Sequence, residues 1–327
     1  MRAVIVKQPG GPDQLAIEEV PTPRPGRGEL LVRVRAAALN RADILQREGN
    51  YPPPPGASEI LGLDIAGVVE TAGSGCKRYK AGNRVFGLLP GGGYAQYAVI
   101  PEDMAMPIPG DFTFEQAAAV PEVFLTAFQT LFWIGRLQAG ETVLIHSGGS
   151  GVGTAAIQLA VDSGAAVLTT TGTDEKCERC RALGAVRAIN YRSEDFTAAV
   201  ADQTRAEGVD LILDFVAAPY WEKNISALGT DGRMVLISLM GGSTADHVDL
   251  SRILTKRLQI TGTTLRGRPV EYKIRLTREF ADFGLDKLVH GRLKPVVDSV
   301  FPWEEVAAAH ARMEANRNVG KIVLTID

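Results

Sequence analysis

Cysteine is scarce: Cys76, Cys177 and Cys180 are the three thiols of a 327-residue chain. So few, and odd in number, they exclude a disulfide framework and fit a reducing compartment. Histidine is almost as rare, and His146, His247, His290 and His310 are scattered without the spacing of a triad or a metal set. Runs of like charge are missing too, since 35 basic against 38 acidic residues leave a formal charge of −3. No nucleic-acid arm is expected, and small molecules are the expected partners. Apolar runs are broken by charge, Gly or Pro well before the roughly 18 residues of a membrane span. The opening MRAVIVKQPGG breaks at Pro9, too early and wrongly flanked for a secretory signal. A cytoplasmic protein with no membrane partner is the expectation.

What is present is length and alternation. A chain of 327 residues exceeds what one core usually serves, so two domains are expected. The first third carries short β-like runs, RAVIV, LAIEEV, ELLVRVRAAAL, ILGLDIAGVVE, NRVFGLL and YAQYAVI, separated by PTPRPGRG and PGGG. They predict an irregular, barrel-like β domain. From Thr113 the stretch FEQAAAVPEVFLTAFQTLFWIG has helical spacing, interrupted at Pro121, and reads as the connection into a second domain. From Glu141 strands and helices alternate: ETVLIHS, a helix over 152–163, AAVLTTTG, a helix over 175–183, VRAIN, a helix around 194–205, VDLILDFV, a helix over 220–228, and RMVLISL. Near-continuous apolar strands in this alternation predict an α/β fold with a doubly wound parallel sheet. The last stretch, from Lys294 to Ile326, reads strand, helix, strand and is expected to complete the first domain. The expected division is 1–122 with 264–327, and 123–263.

The segment VLIHSGGSGVGTAAIQLAVDSGA is a strand, a glycine loop and an amphipathic helix, the context of a phosphate-binding turn. The G-x-G-x-x-G pattern falls on Gly148, Ser150 and Gly153, with serine where the second glycine belongs. About 20 residues on, an NAD site places an acid against the ribose 2′-hydroxyl. Here the second strand ends in Thr171, Gly172 and Thr173 with Lys176 a helical turn later, while Asp174 and Glu175 fall where acids commonly favour a helix dipole. A neutral strand tip with a nearby lysine suits a 2′-phosphate, so NADPH is the expected cofactor. Tyr191 either packs on that phosphate or is a rim aromatic.

Taken together, ALNRADILQREGNYPPPPGASEILGLDIAGVV, LLPGGGYAQYAVIP, AAAVPEVFLTAF, HSGGSGVGTAAIQLA, GVDLILDFV, LMGG and ANRNVGKIVL resemble the zinc-free quinone oxidoreductases of the medium-chain dehydrogenase/reductase superfamily. The likeness runs nearly end to end and is closer to the tumour-suppressor-inducible branch than to zeta-crystallin. It implies a GroES-like β-barrel domain plus a Rossmann domain, with an active cleft between them. Zinc alcohol dehydrogenases of the superfamily carry Gly-His-Glu among their ligands; here that position reads Gly62-Leu63-Asp64. Cys177 and Cys180 form a C-x-x-C on a predicted helix without a second pair, and packing thiols are the simpler reading. No metal is expected.

The resemblance further implies a substrate pocket at Asn40, Asp43 and Tyr51, with Thr126 facing the nicotinamide. For Asn40 and Asp43, helix capping stands as an equal reading, and for Thr126 a hydroxyl bonded to its own helix backbone. The resemblance assigns Ser150, Gly151, Val152 and Gly153 to the pyrophosphate and Gly172, Thr173, Lys176 and Tyr191 to the 2′-phosphate pocket. Tyr51 and Thr126 join these on the cofactor, with Leu239, Met240, Gly241, Thr264, Leu265, Arg317 and Asn318. Arg317 is equally readable as a solvent-facing helix-end cation. The family also implies a homodimer paired through edge strands of the Rossmann sheets, for which LQITGTTL is the candidate.

Three functions follow in order: NADPH-dependent reduction of a quinone without metal, reduction of an enone or enoyl thioester, and a non-catalytic structural or RNA-binding role. The mild acidity argues against the last. Pro52 to Pro55 restrict Tyr51 toward extended backbone, so the stretch GNYPPPPGAS is expected to be a stiff wall presenting Tyr51 to the acceptor.

Overall fold

The alternation read from Glu141 onward closes into a six-stranded, all-parallel sheet in the spatial order Arg187–Asn190, Ala166–Thr171, Thr142–Ile145, Val209–Asp214, Leu228–Leu236, Gln259–Gly262. Val143, Leu144, Ile145, Leu168, Leu211, Ile212 and Leu213 are completely buried. Helices cover both faces of such a sheet, so its central strands carry no polar alternation. Strand order reverses between Thr142–Ile145 and Val209–Asp214, and the carboxyl ends of strands at such a reversal are where doubly wound sheets hold ligands. The helices Gly151–Asp162, Asp174–Ala182, Phe196–Gln203 and Trp221–Ala227 lie within a few residues of their expected bounds. Caps set the differences: Asp195 accepts from the Thr197 amide at 2.9 Å, which starts its helix two residues later than expected. The segment proposed for pairing supplies the edge strand Gln259–Gly262.

This computed structural model describes residues 1–246 and 248–327, and His247 lies outside the described residues. The chain divides into two compact units, Met1–Leu125 with Leu265–Asp327, and Thr126–Thr264. The division falls a few residues after the expected one.

The first unit is built on a seven-stranded sheet. Its path runs Val297–Pro302, Lys321–Thr325, Glu29–Ala38, Asp64–Ala72, Arg84–Leu88, Ala105–Pro107, and Tyr97–Pro101 also pairs with Glu29–Ala38. A separate hairpin joins Arg2–Val6 to Leu15–Glu19. Leu30, Val32, Ile65, Val69, Phe86 and Ile100 turn inward and are essentially inaccessible; each such side chain contributes about 1.5–3 kcal/mol of apolar burial. The C-terminal strand, helix and strand complete this sheet. A 20-residue helix, Val270–Val289, belongs to the same unit and was not foreseen. Its buried stripe of Leu276, Phe280 and Leu288 follows helical spacing, but charges dominate its composition.

One expectation is corrected. The helical run Phe114–Ile134 is long and apolar enough to cross a membrane, yet 78% of its most apolar window is buried within the protein. The interruption expected at Pro121 is present: the helix Phe114–Ala118 ends at Ala119, and Pro121 opens the next helix, Pro121–Phe128, in the first turn, where its missing N–H costs nothing. The chain then continues as a π-helix over Gln129–Ile134.

Candidate active and cofactor sites

In the Rossmann unit the strand Thr142–Ile145 ends in a turn where Ser147 takes a left-handed φ of 55°. Glycines are required in the turn that follows it. A methyl on Gly148 would lie 2.0 Å from the Thr169 hydroxyl oxygen, and one on Gly153 would lie 2.3 Å from the Ser147 carbonyl. Ser150 departs from the fingerprint for a local reason. It is the N-cap of Gly151–Asp162 in extended conformation, and its hydroxyl accepts from the Gly153 amide at 3.0 Å. A cap needs no positive φ and gains from an acceptor oxygen, so serine serves where the pattern asks for glycine. The remaining first-turn amides and the helix dipole point where a pyrophosphate would sit.

The tip of the strand Ala166–Thr171 gathers the other expected residues. Gly172 is closely approached: a methyl there would lie 2.7 Å from the Tyr191 hydroxyl and 3.5 Å from Nε of Arg192. Thr173 caps Asp174–Ala182 by accepting from the Lys176 amide, and the Lys176 stem lies against Gly149, whose added methyl would be 3.1 Å from Cδ. Asp174 is engaged by the Asn190 side-chain amide at 2.8 Å, in keeping with a first-turn acid. Arg192 is exposed and its Nε approaches the same strand tip beside the Tyr191 hydroxyl; it was not among the expected residues, and its place directly after Tyr191 was the available signal. Leu239 and Met240 stand 56% and 54% exposed beyond the sheet, where the Met240 and Gly241 amides donate to Phe215 and Val216. Thr126 is buried, and one turn on it is Thr130 whose hydroxyl donates to the Thr126 carbonyl at 2.8 Å.

His146 does close a buried strand. Its Nδ1 meets the Thr170 hydroxyl at 2.9 Å, its Nε2 meets Asn224 Oδ1 at 2.8 Å, and Asn224 donates to Asp214. Burial lowers its pKa, so the neutral ring acts as a spacer between strand ends. His310 is likewise buried, beside Arg47, and is pushed down to about 3 by burial and that guanidinium. Cys177 and Cys180 are buried, and burial pushes the Cys180 thiol up to about 12, which suits packing thiols.

In the β-barrel unit, Asn40 and Asp43 start the helix Arg41–Arg47. The Asn40 amide donates to Asp43 Oδ2 at 2.8 Å, the Tyr94 hydroxyl donates to the same oxygen at 3.0 Å, and the Gly62 amide donates to Oδ1 at 3.1 Å. With both oxygens engaged and 1% exposure, Asp43 caps its helix and ties Gly62 and Tyr94 to it. Gly62 stands at φ +97° against the Tyr94 ring, a position no side chain could share. Asn40 is spent as well: its Oδ1 accepts from Lys321 Nζ at 2.7 Å and its Nδ2 donates to Asp64 Oδ2 at 2.8 Å. Lys321 pairs with Asp64 at 2.8 Å, the two side chains 3% and 0% exposed, and Asp64 Oδ1 accepts from the Glu122 amide at 2.7 Å. Sequence reasoning missed Lys321, which sits in the apolar run GKIVL.

Tyr51 is half-buried beneath the guanidinium of Arg266, whose carbon lies 5.4 Å from the ring centroid. Burial raises the phenol pKa, Glu122 adds to the rise and Arg266 opposes it. The proline loop turns at Pro54 to Ala57 and is held at its far end by Gln46, which donates to the Glu59 carbonyl at 2.8 Å. Leu265 is buried in this unit, Arg317 is exposed in the turn before Lys321–Thr325, and Asn318 donates to the Gly320 carbonyl within that turn. Thr264 ends the other unit.

A zinc dehydrogenase would need three donors and an open position. Among the described residues no group of three His, Cys, Asp or Glu side chains is placed to hold a metal ion, Leu63 offers no donor, and Asp64 is committed to Lys321. The residues do not fit a catalytic zinc.

Residues 26–110 match the alcohol dehydrogenase GroES-like domain, and residues 151–281 match the zinc-binding dehydrogenase domain. The quinone oxidoreductase of Rattus norvegicus is 30% identical, with 100% of this chain and 98% of that protein covered. Escherichia coli quinone oxidoreductase, solved in complex with NADPH, superposes with a TM-score of 0.90 at 29% identity over 100% of both chains. A structure described as an NAD-dependent alcohol dehydrogenase superposes with a TM-score of 0.89 at 34% identity, again over 100% of both chains. The chain belongs to the quinone oxidoreductase family of the medium-chain dehydrogenase/reductase superfamily.

Proposed function

We propose that this oxidoreductase is an NADPH-dependent quinone reductase that works without a metal. The observation that carries the reading is the strand tip at Gly172, which Tyr191 and Arg192 approach, with Lys176 in the first turn of the helix that Thr173 caps and the first-turn acid Asp174 engaged by Asn190. Two cations beside a neutral tip favour a 2′-phosphate over a bare 2′-hydroxyl. Ser150, Gly151, Val152 and Gly153 would hold the pyrophosphate, and the backbone at Leu239 to Gly241 the ribose and nicotinamide. The bound cofactor supplies hydride. The chain's own residues then have to bind and orient the acceptor, a role we give to the half-buried hydroxyl of Tyr51 in the β-barrel unit. A quinone spreads the incoming charge over its ring and takes protons from water, so it asks little more of the protein. Simple alcohol oxidation asks for stabilisation of an alkoxide that this donor set does not offer. We place the protein in the cytoplasm and its dimer contact at Gln259–Gly262.

A second reading, reduction of an enone or enoyl thioester, is favoured by one observation: the Arg266 guanidinium carbon lies 5.4 Å from the Tyr51 ring centroid, a cation placed to ease loss of the phenol proton. Side-by-side oxidation of NADPH and NADH with ortho-quinones, para-quinones and an enoyl thioester decides among these. Quinone turnover with NADPH preferred is expected. Preference for NADH would remove the Lys176 argument, and turnover confined to the thioester would favour the second reading.

A further inference from the structure

Arg266 is 4% exposed, yet it forms no ion pair. A guanidinium buried without a carboxylate is costly unless its donors are otherwise satisfied. Nε donates to the Pro90 carbonyl at 2.8 Å and Nη2 to Gln46 Oε1 at 2.7 Å, while Nη1 is buried with no oxygen or nitrogen partner. What remains beside it is the Tyr51 ring, 5.4 Å from the guanidinium carbon. An aromatic face attracts a cation and accepts an N–H weakly, and both effects strengthen where water is excluded. The fork therefore ties together three segments distant in sequence: the helix carrying Gln46, the PGGG turn at Pro90 and the loop carrying Tyr51.

We propose that Arg266 is the positioning residue for Tyr51, fixing its ring through the cation–π contact and biasing its hydroxyl to donate to an acceptor oxygen as negative charge builds there. The proposal rests on Tyr51 serving the acceptor and extends that reading. The acceptor takes two electrons and one hydrogen as hydride from the reduced nicotinamide, and its conjugated oxygen gains the charge. Tyr51 hydrogen-bonds that oxygen. For an enone the phenol proton then passes to the enolate and water returns a proton to the phenolate. A quinone can take its proton from water directly, so Arg266 matters most for activated double bonds.

The charges around Tyr51 set the sign of the test. Glu122 raises its pKa and Arg266 lowers it; Arg266 in turn feels Asp43 and Glu122, and Lys273 lies near both Glu122 and Arg266. Removing the Arg266 charge therefore leaves Glu122 less opposed and the phenol a weaker acid.

The decisive measurement is the ultraviolet tyrosinate titration of Tyr51, taken as the difference from Tyr51→Phe, in wild type, Arg266→Gln and Arg266→Lys. The transition is expected to move up in Arg266→Gln and to stay near wild type in Arg266→Lys, which keeps the charge. Enone reduction should fall about tenfold in Arg266→Gln, and by more than quinone turnover falls. A transition in Arg266→Gln that coincides with wild type, or one in Arg266→Lys that moves as far as in Arg266→Gln, overturns the proposal. If Arg266→Gln does not fold, ¹⁵N-arginine spectra of Tyr51→Leu carry the test: the Arg266 side-chain signals should lose their ring-current displacement, and unmoved signals overturn it. These readouts need no turnover, so a protein that reduces neither acceptor class would defeat the functional reading while leaving the Arg266–Tyr51 coupling measurable.

Discussion

The two candidate sites are built in opposite ways. The proposed phosphate site of the Rossmann unit is partly exposed and carries Lys176 and Arg192, drawn from the stretch between Gly148 and Arg192. The polar node of the β-barrel unit is sealed, and Asn40, Asp64 and Lys321 reach it from sequence separations as large as 281 residues. The first lies where solvent reaches Tyr191 and Arg192. In the second, donors and acceptors already answer one another, and their work is to hold a scaffold. The difference teaches that residues such as Asn40 and Asp43 also do structural work, tying the start of the helix Arg41–Arg47 to Gly62, Tyr94, Asp64 and Lys321.

Breaking the sealed node should give the largest effect. Lys321→Met leaves the Asp64 carboxylate buried without its cation, and such a loss costs about 3–5 kcal/mol. A thermal or urea unfolding midpoint should fall accordingly, and the loss should persist at high salt because the pair is 3% and 0% exposed. A variant as stable as wild type would mean that the pair is not the strut described. The double variant Lys321→Met with Asp64→Asn should recover part of the loss, since no uncompensated charge then remains.

Asp43 sharpens the comparison through pH. Burial pushes its carboxyl from the ordinary 3.8 up to about 6, against the opposing donors Asn40, Tyr94 and Gly62. Between those values the folded chain keeps a proton that the unfolded chain has released, so this group's contribution to stability is lost as pH rises through the window. Its size is at most about 3 kcal/mol. Asp43→Asn removes the titration, so its urea midpoint should depend less on pH between about 4 and 6 than that of wild type. Parallel curves would show that the carboxylate ionises normally despite its burial.

How far the sequence revealed these sites follows from the same contrast. The Rossmann half was legible because each strand and helix announces itself through local periodicity, and because Gly148, Gly153, Gly172 and Lys176 stand at the strand-to-helix junctions that periodicity marks. Ser150 looked like a defect in the fingerprint and proved to be a cap, a role that depends on the backbone conformation at that residue. The β-barrel half was legible only in outline. Nothing local marks Lys321 as the partner of Asp64, and Arg266 looks like one more surface arginine in TTLRGRP until the chain folds it against Gln46, Pro90 and Tyr51. The helix Val270–Val289 escaped for the complementary reason: its charged face outweighs its narrow buried stripe.

The exposed site should respond more mildly and in a salt-dependent way. Lys176→Ala should raise the KM for NADPH roughly tenfold at low salt, the worth of about 1.4 kcal/mol, and leave the KM for NADH nearly unmoved. Arg192→Ala should have a smaller effect in the same direction, a few-fold, because its head group is more exposed than that of Lys176 and better screened. Raising the ionic strength should shrink both differences together. If instead the two variants weaken NADH and NADPH equally, the cations act on a group the two cofactors share, the pyrophosphate, and cofactor choice has to be sought elsewhere along the sheet. The size of the Arg192 effect relative to Lys176 then measures how much of the selectivity sits on the strand tip itself and how much on the loop beyond Tyr191.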